Sequence, residues 1–148
     1  MSKPGEISRQ TTHLVRDHCL CLHTQRAARA LARRFDAALR PLGLTSGQFS
    51  LLMSLNRPEP APMRAVAEFL AMDRTTLTAA LKPLRREGLV AIAVDPADKR
   101  GRRLSLLPAG RERLAPALPI WERVHAEIDR ELAAEDPQRL RAELRALS

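Results

Sequence analysis

The sequence predicts a mainly α-helical protein with one small β-hairpin, and three observations lead to this fold class. Of the 148 residues, 45% are apolar but only 3% are aromatic, and tyrosine is absent. This composition favours helices packed through leucine, alanine and valine over a sandwich or barrel. Apolar residues recur at helical spacing towards both ends of the chain. Between them, residues 72–110 are predicted to form a helix followed by two strands around a charged turn.

The helix of this central segment is predicted to begin after Asp73, whose carboxylate can accept hydrogen bonds from the first backbone amides. Gly88 suits a left-handed C-cap, and Pro83 is expected to bend the last turn. The predicted apolar face consists of Leu77, Ala80, Leu81 and Leu84. The polar face consists of Arg74, Thr75, Thr76, Thr78, Lys82 and Arg85.

Two short strands are predicted next, at residues 89–94 and 103–107, joined by a charged turn at residues 95–102. From residue 74 to 113 there are ten basic and four acidic residues, so this segment carries +6 of the chain's net charge of +8. Clustered positive charge is typical of phosphate binding, although a solvated arginine-rich surface has the same composition. A polar helix beside a basic hairpin predicts a winged helix-turn-helix that reads DNA.

The other segments are predicted to be helical, after a disordered lead at residues 1–10. A long amphipathic helix is expected at residues 11–42, and the helix at residues 111–132 is expected to be interrupted around Pro116 and Pro119. The first helix of the helix-turn-helix, residues 63–71, is expected to bury Val66, Ala67, Phe69 and Leu70. Further helices are predicted at residues 45–55 and 137–147, and a proline-rich connector without helix is predicted at residues 57–62.

The length corresponds most simply to a single domain over residues 1–148, with the winged helix-turn-helix at about residues 43–110. The helices at about residues 11–42 and 111–148 exceed what one small domain needs, so their spare apolar faces are predicted to form a dimer interface. No apolar run approaches the ~18–20 residues that span a bilayer, and the N-terminus lacks an apolar signal segment. A cytoplasmic protein without a membrane partner is expected.

Several short motifs occur in an order that resembles the MarR family of bacterial transcription regulators. They are Pro41–Thr45 with Gln48 and Phe49, Asp73–Thr78, Leu84–Val90, Asp95–Arg100 and Leu106–Gly110. The resemblance implies a homodimeric repressor with a recognition helix in the major groove and a wing in the minor groove. A small ligand or an oxidant would release it from a pseudo-palindromic operator in double-stranded DNA. No cofactor is expected.

The resemblance also implies which residues contact DNA. The predicted set is Thr45, Ser46, Arg74, Thr75, Thr76, Thr78, Lys82, Asp98, Lys99, Arg100 and Arg102. Within it, an Asp98–Arg100 ion pair is expected to hold Arg100 for insertion into the minor groove. Phosphate contacts are expected from Lys99, Arg102 and the neighbouring Arg103. Thr45 and Ser46, at a helix N-terminus, are expected to bind another phosphate.

Cys19 and Cys21 have three interpretations. They can be small buried core residues. Alternatively, Cys21 can be a peroxide sensor, because it lies where the organic-hydroperoxide-sensing branch of the family places its reactive cysteine, although this chain lacks that branch's tyrosines. The third interpretation is a transition-metal site with His18 and His23, but the spacing matches no zinc motif. Residues two apart lie on different helix faces, so the two thiols are not expected to bridge.

Two other classes of function compete with DNA binding. A cysteine-dependent redox enzyme would need a CxxC motif, a cofactor fingerprint or a Ser/His/Asp grouping, and the sequence contains none within reach. A protein–protein adaptor would not need Arg74, Lys82 and Arg100. The sequence therefore predicts a DNA-binding transcriptional regulator and not an enzyme, with thiol-based peroxide sensing through Cys21 as the alternative mode of control.

Overall fold

The computed structural model describes residues 5–132 and 136–148, which form eight α-helices and one three-stranded antiparallel sheet. The helices are α1 (Arg9–His18), α2 (Leu20–Leu39), α3 (Ser46–Ser54), α4 (Met63–Phe69), α5 (Arg74–Arg86), α6 (Pro108–Leu114), α7 (Ala117–Glu131) and α8 (Pro137–Ala146). The strands are β1 (Ala61–Pro62), β2 (Val90–Val94) and β3 (Arg102–Leu106). No helix of the described residues is long and apolar enough to cross a bilayer.

The N-terminal helix is broken, so the prediction of one helix over residues 11–42 is wrong. Cys19 adopts an extended backbone between α1 and α2, and its Sγ accepts a hydrogen bond from the Leu22 amide at 3.4 Å. The thiol therefore acts as an N-cap. The predicted lead at residues 1–10 is also partly wrong, because α1 already begins at Arg9; residues 1–4 lie outside the described residues.

The predicted caps around α3 and α5 are confirmed. Thr45 and Gln48 form a reciprocal capping box at α3, and Asp73 accepts from the Thr76 amide at α5. Gly88 has a φ of 72°, as its C-cap position requires. Pro83 lies inside α5, yet the helix continues to Arg86.

The sheet has one strand more than predicted. β1 lies inside the proline-rich connector and pairs with β3, giving the order β1-β3-β2. β2 and β3 pair from Val90 opposite Leu106 to Val94 opposite Arg102. Because β1 pairs with Arg103 and Leu104, the connector is fixed alongside the middle of β3.

The main core lies between α3, α4, α5 and the sheet, and Leu77, Leu81 and Leu84 are completely buried in it. This confirms the predicted apolar face of α5. Phe69 was predicted to be buried, but 78% of its surface is exposed because α4 ends there and the chain turns towards α5.

A second, smaller core joins α2 to α7 through Phe35, Val124 and Ile128. At its edge, Arg34 donates to both carboxylate oxygens of Glu131, at 2.8 and 2.5 Å. This bidentate pair holds the pKa of Glu131 below its usual range. The predicted interruption before α7 occurs at Pro116, whereas Pro119 lies in the first turn of α7, where proline is tolerated.

Exposed apolar side chains concentrate at the two ends of the chain. Neither α1 nor α8 contains a buried residue. The large apolar residues exposed there are Ile7, Leu14, Val15, Leu20, Leu140, Leu144 and Leu147, with exposures of 39–77%. Such faces are typical of an interface with another protein chain.

Candidate nucleic-acid interface

The outer face of α5 brings most of the predicted recognition residues together. Arg74, Thr75, Thr78 and Lys82, with Ala79, form one shallow depression on the surface. Within it, the Thr78 hydroxyl donates to the Arg74 carbonyl at 2.8 Å, and Thr78 is exposed. Thr76 is exposed but does not belong to this depression, because its helical position turns it towards the side of α5.

Two basic residues extend this surface beyond the predicted set. Arg85 is exposed and lies three residues after Lys82 and seven after Thr78, so it continues the same helix face. Arg64 of α4 has 90% of its side chain exposed and pairs with Glu68 at 3.1 Å. Helical periodicity placed Arg85 on the predicted polar face, although the predicted DNA contacts did not include it, and the backbone-crossing role of a first helix could have identified Arg64.

The wing is organised around Asp95. Its carboxylate accepts from the Ala97 amide at 2.9 Å, and Asp95 Oδ1 lies 3.1 Å from Arg103 Nε. The Ala97 amide and, after it, the Arg103 guanidinium hold the pKa of Asp95 below its usual range. Arg103 therefore ties β3 to the start of the turn, and a phosphate contact by Arg103 stays a prediction.

The contacts at the tip of the wing differ from the predicted Asp98–Arg100 ion pair. Asp98 Oδ1 accepts from the backbone amide of Arg100 at 3.0 Å, and no Asp98–Arg100 salt bridge forms among the described residues. The Arg102 guanidinium donates to the carbonyls of Lys99 and Gly101, at 3.3 and 3.0 Å. Asp98 and Arg102 thus shape the turn, and the side chains of Lys99 and Arg100 remain exposed.

The wing and the recognition helix are in direct contact. Arg74 Nη2 donates to the Arg100 carbonyl at 3.4 Å. A groove of about 570 Å³ lies beside this contact, between α4, the start of α5 and the wing. The first turn of α5 and the tip of the wing are therefore positioned together.

Thr45 and Ser46 lie at the N-terminus of α3, where the amides of Thr45, Ser46 and Gln48 already donate to side chains of this chain. The Ser46 amide donates to Asp36 Oδ1 at 2.6 Å, and the Gln48 amide donates to Thr45 Oγ1 at 3.2 Å. A carboxylate thus occupies the position where a phosphate was predicted. The hydroxyl of Thr45 acts here as a cap, and a DNA contact by either residue stays a prediction.

Neither cysteine is a buried core residue within this chain, which contradicts the first interpretation. Cys19 is half-buried and Cys21 is exposed, with its Sγ accepting from Gln25 Nε2 at 3.2 Å. His18 and His23 bond instead to the carbonyls of Leu14 and Asp17. No group of three potential metal ligands occurs in the described part of the chain.

A cavity of about 120 Å³ lies between α2, α3 and α7. Its aromatic walls are Phe35, Phe49, Trp121 and His125, with ring centroids of His125 4.8 Å from Phe35 and 4.4 Å from Trp121. The Nδ1 atom of His125 is buried and has no hydrogen-bond partner among the described residues. Burial, and secondarily the Arg141 cation, lowers the pKa of His125, while Asp129 opposes the shift.

Acidification is expected to destabilise the protein through His125. Because folding lowers the pKa of His125, the unfolded chain binds more protons than the folded protein as the pH falls. The contribution of neutral His125 to stability is therefore complete above ~6.5, the pKa of histidine in the unfolded chain, and is lost as the pH falls through the lower pKa of the folded state. We expect the melting temperature to fall between pH 7.5 and 5.5, and His125→Asn to reduce this fall. Equal falls in calorimetry of both proteins would contradict the assignment.

Comparisons with known proteins agree with this geometry. The sequence model of the MarR family matches residues 42–101. The solved structure of the M. tuberculosis transcriptional regulator MosR in complex with DNA is 39% identical in sequence. It superposes with a TM-score of 0.79, over 88% of this chain and 93% of that chain.

Two sequence relatives point the same way. The transcriptional regulator HosA of Escherichia coli O111:H- is 34% identical over 98 residues, which are 59% of this chain and 73% of HosA. The transcriptional activatory protein BadR of Rhodopseudomonas palustris is 31% identical over 98 residues, which are 64% of this chain and 52% of BadR, so the match spans about half of BadR. These similarities confirm a transcriptional regulator rather than an enzyme.

Proposed function

This chain belongs to the MarR family of DNA-binding transcriptional regulators, and we propose that it binds a pseudo-palindromic operator as a homodimeric repressor in the cytoplasm. The observation that carries this proposal is the exposed face of α5, where Arg74, Thr75, Thr78 and Lys82 lie together beside the wing. A guanidinium can pair with guanine, and threonine can contact a thymine methyl group or a phosphate. Lys99 and Arg100 extend the contact to the neighbouring minor groove.

The homodimer is supported by the exposed apolar faces of α1 and α8. These two helices come from opposite ends of the chain, and their large apolar residues are 39–57% exposed within its described part. A second copy would cover them through a symmetric interface. Two recognition helices would then reach half-sites about 34 Å apart, one turn of the duplex.

Release from the operator is proposed to follow binding of a small molecule. The cavity between α2, α3 and α7 joins the second core to the helix that precedes the helix-turn-helix. Its aromatic walls and the unpaired Nδ1 of His125 suit a small ring with a hydrogen-bonding group. A molecule bound in this cavity would shift the recognition helix α5 of each subunit relative to α1 and α8, the helices of the proposed dimer interface.

The proposal is tested by the affinity of the protein for DNA upstream of its own gene, measured by fluorescence anisotropy across a series of salt concentrations. Tight binding that weakens steeply with salt and prefers two half-sites one turn apart is expected. A scrambled duplex of equal length is the control. Equal affinity for both duplexes would reject sequence-specific regulation, and no binding to either duplex would favour an adaptor.

Thiol-based sensing is a second candidate for control, favoured by the exposure of Cys21. An organic hydroperoxide would oxidise the Cys21 thiolate to a sulfenic acid and be reduced to the alcohol. The neighbouring helix break at Cys19 connects α1 to α2 through one extended residue, so α1 could move when Cys21 is oxidised.

Cumene hydroperoxide is expected to lower operator affinity of the wild type at least ~10-fold, a coupling of about 1.4 kcal/mol, which is typical for effectors. Cys21→Ser should stay bound after the same treatment, and Cys19→Ser serves as the matched control. Operator release from Cys21→Ser, measured by anisotropy, would show that Cys21 is not the sensor.

A further inference from the structure

Four arginines form a stripe along one side of α2 and the 3-10 turn that follows it at Arg40–Leu42. This arginine stripe consists of Arg26, Arg29, Arg33 and Arg40, all of them exposed. At about 100° per residue they lie within about 60° around the helix axis, over a length of about 21 Å. The two residues that α2 buries, Phe35 and Leu39, point roughly the opposite way.

The positive charge of the stripe is not neutralised within the described residues. None of its four arginines belongs to an ion pair there, whereas Arg34, one residue further round the helix, is paired with Glu131. The acidic residue that shares the sector, Asp36, accepts from the Ser46 amide at 2.6 Å. Four guanidinium groups without an ion-pair partner among the described residues therefore lie beside one carboxylate, so this side of the helix carries a net charge of 4 − 1 = +3.

The geometry of α2 separates the stripe from the proposed dimer surface. Leu20 and Leu31 are the large apolar residues that α2 exposes, at 69% and 40%, and both lie on the side away from the stripe. A second subunit that covered them would leave the arginines in solvent. The stripe side exposes no large apolar residue of α2, which disfavours insertion into a lipid surface.

We propose that the arginine stripe binds the phosphate backbone of a second DNA duplex, so that the regulator bridges two DNA segments. Guanidinium groups pair well with phosphates, and one DNA strand presents a phosphate every ~3.4 Å of helix axis. A row of about 21 Å therefore faces several phosphates of one strand at once. A contact made only to the backbone is independent of base sequence. This inference goes beyond operator binding and rests on the proposed function only in taking DNA as the partner.

The test uses full-length protein bound to an immobilised operator fragment, to which a fluorescent duplex of scrambled sequence is added. We expect wild type to capture the second duplex, with a slope of log affinity against log salt of about −3 to −4 for three or four phosphates. The variant Arg26→Ala/Arg29→Ala/Arg33→Ala should lose at least about 10-fold of this capture, because three phosphate contacts are removed. Its operator occupancy should be unchanged. The charge-matched control is Arg9→Ala/Arg123→Ala/Arg130→Ala, which removes three exposed arginines elsewhere.

Several outcomes would overturn the bridge. The first is equal capture of the second duplex by the two triple variants, and the second is no capture by wild type at full operator occupancy. The third is binding of poly-glutamate as strong as binding of the scrambled duplex, which would indicate an acidic protein partner. Operator occupancy of the wild type is measured separately, so its absence would count against the proposed function and not against the bridge. In an Arg100→Ala background, the remaining binding of the scrambled duplex should still fall when the stripe arginines are replaced by alanine. Unchanged binding after that replacement would also overturn the proposal.

Discussion

Replacing Arg100 with alanine is expected to weaken operator binding by about 10- to 100-fold, because the wing then has no guanidinium to place in the minor groove. The turn fixes the backbone of Arg100 through the 3.0 Å bond from its amide to Asp98. Its exposed side chain has no hydrogen bond or ion pair within the described residues, so it is available to DNA. A well-placed arginine contact contributes about 1–3 kcal/mol, or about 5- to 150-fold in affinity, a range that contains this loss.

The neighbouring Lys99→Ala variant is the matched control, since Lys99 is equally exposed at the tip of the wing. As a phosphate contact it should weaken binding to all sequences alike and reduce the salt slope by about 1. Arg100→Ala should instead change the preference for base pairs under the wing. Anisotropy on a panel of operator variants separates the two effects, and an unchanged affinity of Arg100→Ala would remove the wing from the proposed interface.

Replacing Gly110 with alanine is expected to lower the free energy of unfolding by about 2–3 kcal/mol, near the upper end for overpacking. Gly110 is buried in α6, where an added Cβ would lie 2.4 Å from the Leu89 carbonyl oxygen and 2.5 Å from Leu106 Cδ1. The Leu89 carbonyl cannot withdraw easily, because it also accepts from the Leu107 amide at 2.9 Å. Hence α6 would have to move away from the base of the hairpin.

Urea unfolding at one fixed protein concentration measures this effect, since the stability of a dimer depends on concentration. The control is Ala109→Gly, an exposed position in the same helix, where the cost is about 0.5–1 kcal/mol from backbone entropy. If Gly110→Ala were no less stable than Ala109→Gly, the close approach of α6 to Leu89 would not constrain the fold.

The elements with strong local signals were predictable from sequence. The apolar spacing of Leu77, Leu81 and Leu84 identified the buried face of α5, and Asp73 and Gly88 identified its ends. These signals act within one or two turns of helix, so no tertiary information is needed. The grouping of Arg74, Thr75, Thr78 and Lys82 followed from the same periodicity.

The differences arise where tertiary contacts or single backbone angles decide. No glycine or proline marks the break between α1 and α2 at Cys19, where the thiol serves as the N-cap of α2. The family resemblance implied an ion pair between Asp98 and Arg100, but the turn directs the Arg100 amide to that carboxylate. The brace that forms instead, Asp95 with Arg103, depends on the register of β2 against β3, which sequence alone did not specify.

The hydrogen bond from Arg74 to the Arg100 carbonyl has a consequence for how operator mutations combine. Because the first turn of α5 and the tip of the wing share this contact, a shift of either one displaces the other. The energetic penalties of a base change in the major groove and of one in the flanking minor groove should then depend on each other. A position weight matrix that treats each base pair as independent would therefore misjudge operators altered at both places.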